Sequence, residues 1–149
     1  MKKYELTEET FTVYGKTLYR IRAVRDFGSV KTGEFGGYIE KEENLSHFGN
    51  AWVSGDAKVY GKAWVRGNAE VSNTRHYFVQ GPIGSRNGFV TFYRTKDNAV
   101  EVKCGCFLGS LQEFVNQVEK THKGNKYEKE YKLAAELAKV CIRLEGESK

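Results

Sequence analysis

The sequence predicts a mainly β fold with α-helix at its C-terminal end: a short β-solenoid flanked by β-hairpins and followed by two helices. Three observations predict it. Four consecutive hexads, GNAWVS, GDAKVY, GKAWVR and GNAEVS, run from Gly49 to Ser72, each with Gly first, Ala third and Val fifth. Large apolar and polar residues alternate on both sides of short turns at 11–23 and 89–104, the mark of antiparallel pairs. After Ser110 the apolar spacing changes to that of helices. A period of six is neither helical nor simply alternating, so the repeat is read first. Ala and Val stand two apart in each hexad, which places Ala51/Val53, Ala57/Val59, Ala63/Val65 and Ala69/Val71 on one face of short strands, the interior of a coil. Glycines 49, 55, 61 and 67 then take the corners, where the backbone angles strain other residues.

These hexads resemble the left-handed parallel β-helix of the hexapeptide-repeat superfamily, and within it a short G-(D/N)-A-x-V-x-G group of bacterial and phage genomes often labelled transferases. The likeness covers about residues 17 to 72, where L-Y-R-I-R-A-V-R-D-F-G-S-V-K-T-G-E-F-G-G-Y-I-E and then E-N-L-S form the lead-in. From G-P-I-G-S-R-N at 81 to T-H at 121 the chain is similar to a module recurrent in phage and prophage proteins. Three hexads to a coil, as the resemblance implies, give about two coils counted from Gly37, with Ile39 and Leu45 as degenerate inward positions. So few coils bury little, and the ends need covering by the flanking segments or by other subunits. The resemblance implies a trimer or a multiple of it. The division is 1–36 as N-terminal hairpin and cap, 37–80 as solenoid, and 81–149 as hairpin plus two-helix module.

In chain order, Phe11–Tyr14 and Thr17–Ala23 form the first hairpin around Gly15-Lys16, with Arg20, Arg22 and Arg25 on or beside its second arm. Gly28, Gly33, Gly36 and Gly37 break the pattern and feed the repeat. Trp52, Tyr60 and Trp64 occupy outward hexad positions; large amphipathic residues there suit a subunit interface, or equally a cover of C-terminal helix. His76–Val79 is a strand candidate. The second hairpin is Phe89–Arg94 with Val100–Cys104. Ser110 and Glu113 make a capping box for a helix ending near His122, and a second helix from about Tyr127 to Leu144 is apolar on two faces, Tyr131/Ala134/Ala138/Cys141 and Leu133/Leu137/Val140/Leu144.

Charge points to the middle of the chain. Residues 1–48 hold eight cations and eight anions, and 110–149 hold eight and seven, so most of the +5 total lies between them. From Ser72 to Lys96 there is no Asp or Glu, while Arg75, His76, Arg86, Arg94 and Lys96 fall inside. An anion meets least repulsion there. A β-rich core segment with few charges has the same composition. No apolar run approaches a membrane span and no leader pattern opens the chain, so the expected location is the cytoplasm, the host's if the chain is phage-encoded. Three cysteines, an odd number, fit a reducing compartment.

The candidate ligand-binding residues are Ser85, Arg86 and Asn87, in a glycine-flanked turn that offers hydrogen bonds and a guanidinium fork, with Tyr93 and Arg94 to stack a base and meet phosphate. A plain hairpin-leading turn is the alternative. Cys104-Gly105-Cys106, even with Cys141, His122, His76 and His47, lacks the two spaced pairs of structural zinc, and reads as cysteines ending a strand. No metal, cofactor or catalytic residue is expected. The second helix alternates Lys and Glu, which argues against a reader of DNA sequence. The expectation is a non-enzymatic oligomeric binding protein; the phage resemblance narrows it to a counter-defence protein that sequesters an anionic nucleotide signal or blocks a host defence protein. The alternatives are an acyltransferase using His47 or His76, and a structural or protein-inhibiting module using the Trp52/Tyr60/Trp64 face.

Overall fold

The computed structural model describes residues 2–146. They form two compact units, divided between Thr74 and Arg75. The N-terminal unit opens with β1 (Tyr4–Val13) and β2 (Lys16–Ala23), antiparallel with Phe11 opposite Leu18 and Val13 opposite Lys16. Tyr14 and Gly15 turn the chain at φ +48° and +78°, the left-handed pair whose twist matches that of hairpin strands. The register slips between Leu6 and Thr10, so β1 reaches well upstream of the expected Phe11. β3 (Phe35–Ile39) adds antiparallel to β2. The hexads then supply only two-residue strands: β4 (Trp52–Val53), β5 (Lys58–Val59) and β6 (Glu70–Val71). β5 lies parallel to β3, completing a sheet of order β1-β2-β3-β5, and β4 pairs β6 in a parallel ladder.

The left-handed parallel β-helix of about two coils expected for 37–80 is therefore corrected. The described residues form three sheets, mostly antiparallel, with two C-terminal helices, and show no solenoid. The reason lies in the hexad itself. A glycine in the left-handed region recurs at 49, 55, 61 and 67, with φ from +58° to +70°, and each turn cuts extended backbone to two residues. Parallel pairing stays confined to Tyr38–Lys58, Ile39–Val59, Trp52–Glu70, Val53–Val71 and a bridge between Leu45 and Val65, whereas the hairpin strands are eight and ten residues long. The hexads do dictate burial: all four Ala and all four fifth-position Val side chains are buried, with Leu18, Ile21, Ile39 and Leu45. Asn44 is buried among them and fully engaged. Its Oδ1 accepts from the Glu40 and Lys41 backbone N–H groups at 3.2 and 3.1 Å, and its Nδ2 donates to the Gly61 and Ala63 carbonyls at 3.2 and 2.9 Å.

The C-terminal unit is an antiparallel meander of β7 (Tyr77–Ile83), β8 (Gly88–Arg94), β9 (Val100–Cys104) and β10 (Phe107–Ser110), in the order β10-β9-β8-β7. Then follow α1 (Leu111–Thr121) and α2 (Lys126–Cys141). Ser110 caps α1 through the expected box: its hydroxyl accepts from the Glu113 N–H at 3.1 Å, and the Glu113 carboxylate accepts from the Ser110 N–H at 2.8 Å. The Asn125 side chain caps α2, accepting from the Tyr127 and Glu128 N–H groups at 2.9 and 3.2 Å. Lys132 on α2 bridges Glu128 at 3.2 Å and Glu119 of α1 at 2.7 Å, tying the helices together. Val90, Phe92, Val102, Phe114, Val118, Ala134, Ala135, Ala138 and Ile142 form this unit's core. Only one of the two apolar faces expected on α2 is covered. Leu133, Leu137 and Val140 on the other are 63, 45 and 69% exposed. Among the described residues no helix is long and apolar enough to cross a membrane.

Candidate functional site

The turn between β7 and β8 is held from behind and open in front. Gly84, at φ +81°, lies against the Tyr131 phenol of α2 so closely that a Cβ there would collide with it. The Gly84 N–H donates to the Glu130 carboxylate at 2.7 Å, and the Asn87 N–H closes the turn on the Gly84 carbonyl at 3.2 Å. Asn87 takes φ +51°, a left-handed position that asparagine tolerates. Ser85, Arg86 and Asn87 are exposed. A guanidinium on an anchored turn loses less freedom when it captures an anion than one on a loose loop.

Behind the turn lies a hollow of about 160 Å³, lined by Cys104, Phe107, Phe114, Gln117, Val118, Thr121, His122 and Tyr131. Three elements build it. The β9–β10 hairpin turns at Gly105-Cys106, with Cys104 opposite Phe107. The inner face of α1 supplies Phe114 and Val118, and its last turn ends at the capping residue His122. α2 supplies Tyr131, whose ring stands edge-on to Phe114 at 5.7 Å and nearly parallel to His122 at 5.6 Å. Burial pushes the Cys104 thiol above its ordinary value, with the Tyr131 hydrogen bond and Lys103 opposing. The phenol is raised too, first by burial, then by Cys104 and Glu130, while Arg86 pulls the other way, so the Arg86 charge is felt at the hollow's wall. Cys104 is thus a protonated thiol whose sulfur accepts from the Tyr131 hydroxyl, and not a nucleophile.

The five residues expected to bind ligand do not come together. Ser85, Arg86 and Asn87 share the turn, but Tyr93 and Arg94 lie at the far end of β8, about 20 Å away at the strand rise per residue. Both are buried, and the Tyr93 hydroxyl donates to Glu101 at 2.8 Å. A base cannot stack on a ring without exposed faces. The expected interface trio separates as well. Trp52 is buried, packed edge-on to Phe27 at 5.1 Å and near Tyr4 at 6.4 Å. Tyr60 is half-buried, and Trp64 is exposed with the Arg66 guanidinium 5.4 Å over its ring. The arginines along β2 are committed: Arg20 to Glu9, the Gly36 carbonyl and the Tyr38 hydroxyl, and Arg22 to Glu5.

Of the histidines weighed as catalytic bases, His76 is buried. His47 has both ring nitrogens engaged. Its Nδ1 accepts from the Lys3 N–H at 3.0 Å, which leaves the ring proton on Nε2, 2.7 Å from the Glu42 carboxylate. That tautomer has no lone pair left for a substrate proton. Cys104 and Cys141 are half-buried and Cys106 is exposed. Among the described residues no group of three His, Cys, Asp or Glu could hold a metal ion.

Sequence reasoning passed over Tyr131, His122 and Phe107 as parts of the hollow. The available signal was aromatic density, with Phe107, Phe114, Tyr127 and Tyr131 falling in the stretch that also carries Cys104 and His122. Compared with known proteins, the chain matches no protein-family model and no curated protein sequence.

Proposed function

We propose that this is a non-enzymatic binding protein of the cytoplasm that holds a small anionic ligand of nucleotide type at the Gly84–Gly88 turn. One observation carries the reading: Ser85, Arg86 and Asn87 are exposed on a turn fixed from behind by Glu130 and Tyr131. The turn lies in a stretch of sequence without Asp or Glu, and the Glu130 carboxylate that α2 brings to it is engaged by the Gly84 N–H from behind. Tyr93 and Arg94 leave the proposed site; Ser85, Arg86 and Asn87 stay. The uncovered face of Leu133, Leu137 and Val140 supports assembly with further copies. On the resemblance of residues 81–121 to a phage module, the ligand is a signalling nucleotide of a host defence. Isothermal calorimetry with a nucleotide panel tests this. Arg86→Ala abolishes binding and leaves the oligomer mass unchanged, whereas unchanged affinity in that variant removes the turn from consideration.

A further inference from the structure

We infer that the hollow beside the turn seats a single neutral planar ring with a polar edge, of the pyrimidine-base kind, and that the anionic group of the same ligand meets Arg86. The second half rests on the anion-binding reading above; the ring seat stands on the hollow itself. Its walls are aromatic on several sides. Phe107 and Phe114 stand 5.6 Å apart at 57°, Phe114 and Tyr131 are perpendicular, and His122 and Tyr131 are inclined by 29°. Such walls favour a flat π-system over a compact aliphatic group. Size narrows the choice. About 160 Å³ is close to the roughly 150 Å³ of an apolar cavity known to take benzene, and well below the roughly 300 Å³ at which sites for larger ligands begin.

Polar groups at the margin decide the chemistry of the ring. The Cys104 thiol and Tyr131 phenol are hydrogen-bonded to each other inside. At the lip, the exposed Gln117 amide donates to the Thr121 hydroxyl at 2.9 Å. Each of these groups can make further hydrogen bonds, which a heterocycle with carbonyl and N–H edges takes up and a hydrocarbon ring does not. Among the described lining residues there is no carboxylate, lysine or arginine, so a charged ring would lack a counter-ion there. Two positive charges act on the wall, Lys103 at the Cys104 thiol and Arg86 at the Tyr131 phenol, and Arg86 is on the turn that abuts that phenol. Ring and anion are therefore recognised by neighbouring parts of one unit.

The test uses the full chain and four probes: uridine for the ring alone, ribose 5-phosphate for the anion alone, uridine monophosphate for both, and adenosine monophosphate for a larger base. Calorimetry gives affinities, and NMR reports the His122 and Tyr131 ring resonances. Uridine monophosphate is expected to bind at least tenfold more tightly than ribose 5-phosphate or adenosine monophosphate, and uridine to shift both rings. Thr121→Trp, at an exposed position of the lip, brings uridine monophosphate down to the level of ribose 5-phosphate. Gln117→Trp does the same by a second route if the first variant folds poorly. Equal affinity for uridine monophosphate and ribose 5-phosphate, or still ring resonances with uridine, overturns the ring seat and leaves the turn reading intact. Equal affinity for adenosine monophosphate overturns the single-ring limit. Uridine seating with no loss of uridine monophosphate affinity in Arg86→Ala overturns the anion site and leaves the ring seat standing.

Discussion

Lys3 gives the N-terminal unit a stability that should rise with alkaline pH. Its side chain is fully buried; the ammonium nitrogen donates to the Ala51 carbonyl at 2.5 Å and sits 4.8 Å over the Phe27 ring. Burial pushes its pKa from 10.5 down to about 8, and the Arg25 and Arg66 charges push the same way. The folded state therefore prefers the neutral amine. Below about pH 8 the lysine is charged in both states and the fold bears the full cost of burying that charge. Between about 8 and 10.5 the unfolded chain still binds the proton that the folded chain has released, so stability climbs with pH. At about 1.4 kcal/mol per tenfold change in proton affinity, the whole climb is about 3 kcal/mol, of which about 2 falls between pH 7.5 and 9.5. Tyr4 works in the opposite sense only at higher pH, because burial holds its phenol above the ordinary value of 10, and the unfolded chain ionises first. Urea denaturation followed by tryptophan fluorescence at pH 7.5, 8.5 and 9.5, in the wild type and in Lys3→Met, isolates the effect. The wild type gains about 2 kcal/mol across the series and the variant stays flat. Parallel curves for the two proteins would refute the assignment of a depressed lysine to this position.

Gly84→Ala places a methyl group against the Tyr131 phenol at a left-handed φ, and should cost about 2 kcal/mol while abolishing anion binding at the turn, as read by thermal melting and calorimetry. Gly88→Ala, with open space around the added carbon and no left-handed φ, should stay within about 0.5 kcal/mol of wild type in the same melt. Asn44→Ala removes four hydrogen bonds, one of them buried at the Ala63 carbonyl and three part-buried, of which the Glu40 N–H keeps a second partner in the Val59 carbonyl, and should cost about 2–3 kcal/mol in urea denaturation; a loss below about 1 kcal/mol would mean that water replaces the amide.

What the sequence made legible was local. The Ser110–Glu113 box started α1 within one residue, because both halves of a capping box lie within a single turn of chain. The second hairpin fell at β8 and β9 because the Lys96–Asn98 turn and the alternation around it are adjacent in sequence. The hexads identified the buried Ala and Val positions, since a two-residue spacing fixes a face however short the strand. It does not fix how far extended pairing continues, and the solenoid failed on that point. Asn44 was invisible for a related reason: its four partners lie at 40, 41, 61 and 63, and only the parallel register of β3 with β5 and the Leu45–Val65 bridge gather them. Tyr93 and Arg94 misled because an aromatic beside an arginine looks the same on a binding surface and on a buried central strand. β8 lies between β7 and β9, and Thr91 to Arg94 are buried on both of its faces.

The candidate site depends on one contact that neither motif advertised. Tyr131 was read as one member of an apolar helical face, and Gly84 as one of the glycines flanking a turn. In the fold the absent side chain of Gly84 admits the phenol, the phenol reaches Cys104, and Glu130 in the preceding position takes the Gly84 N–H. α2 thereby sets both the pose of the Arg86 turn and the wall of the aromatic hollow. Successive residues of a helix point about 100° apart, so Glu130 and Tyr131 grip the turn at two places and resist its rotation as well as its departure. A loop gripped in this way can present a cation at a fixed place beside a ring-sized space, and a free loop of the same composition cannot. The binding chemistry is therefore carried less by the conspicuous arginine than by a glycine, a phenol and a carboxylate that together deny the turn its freedom.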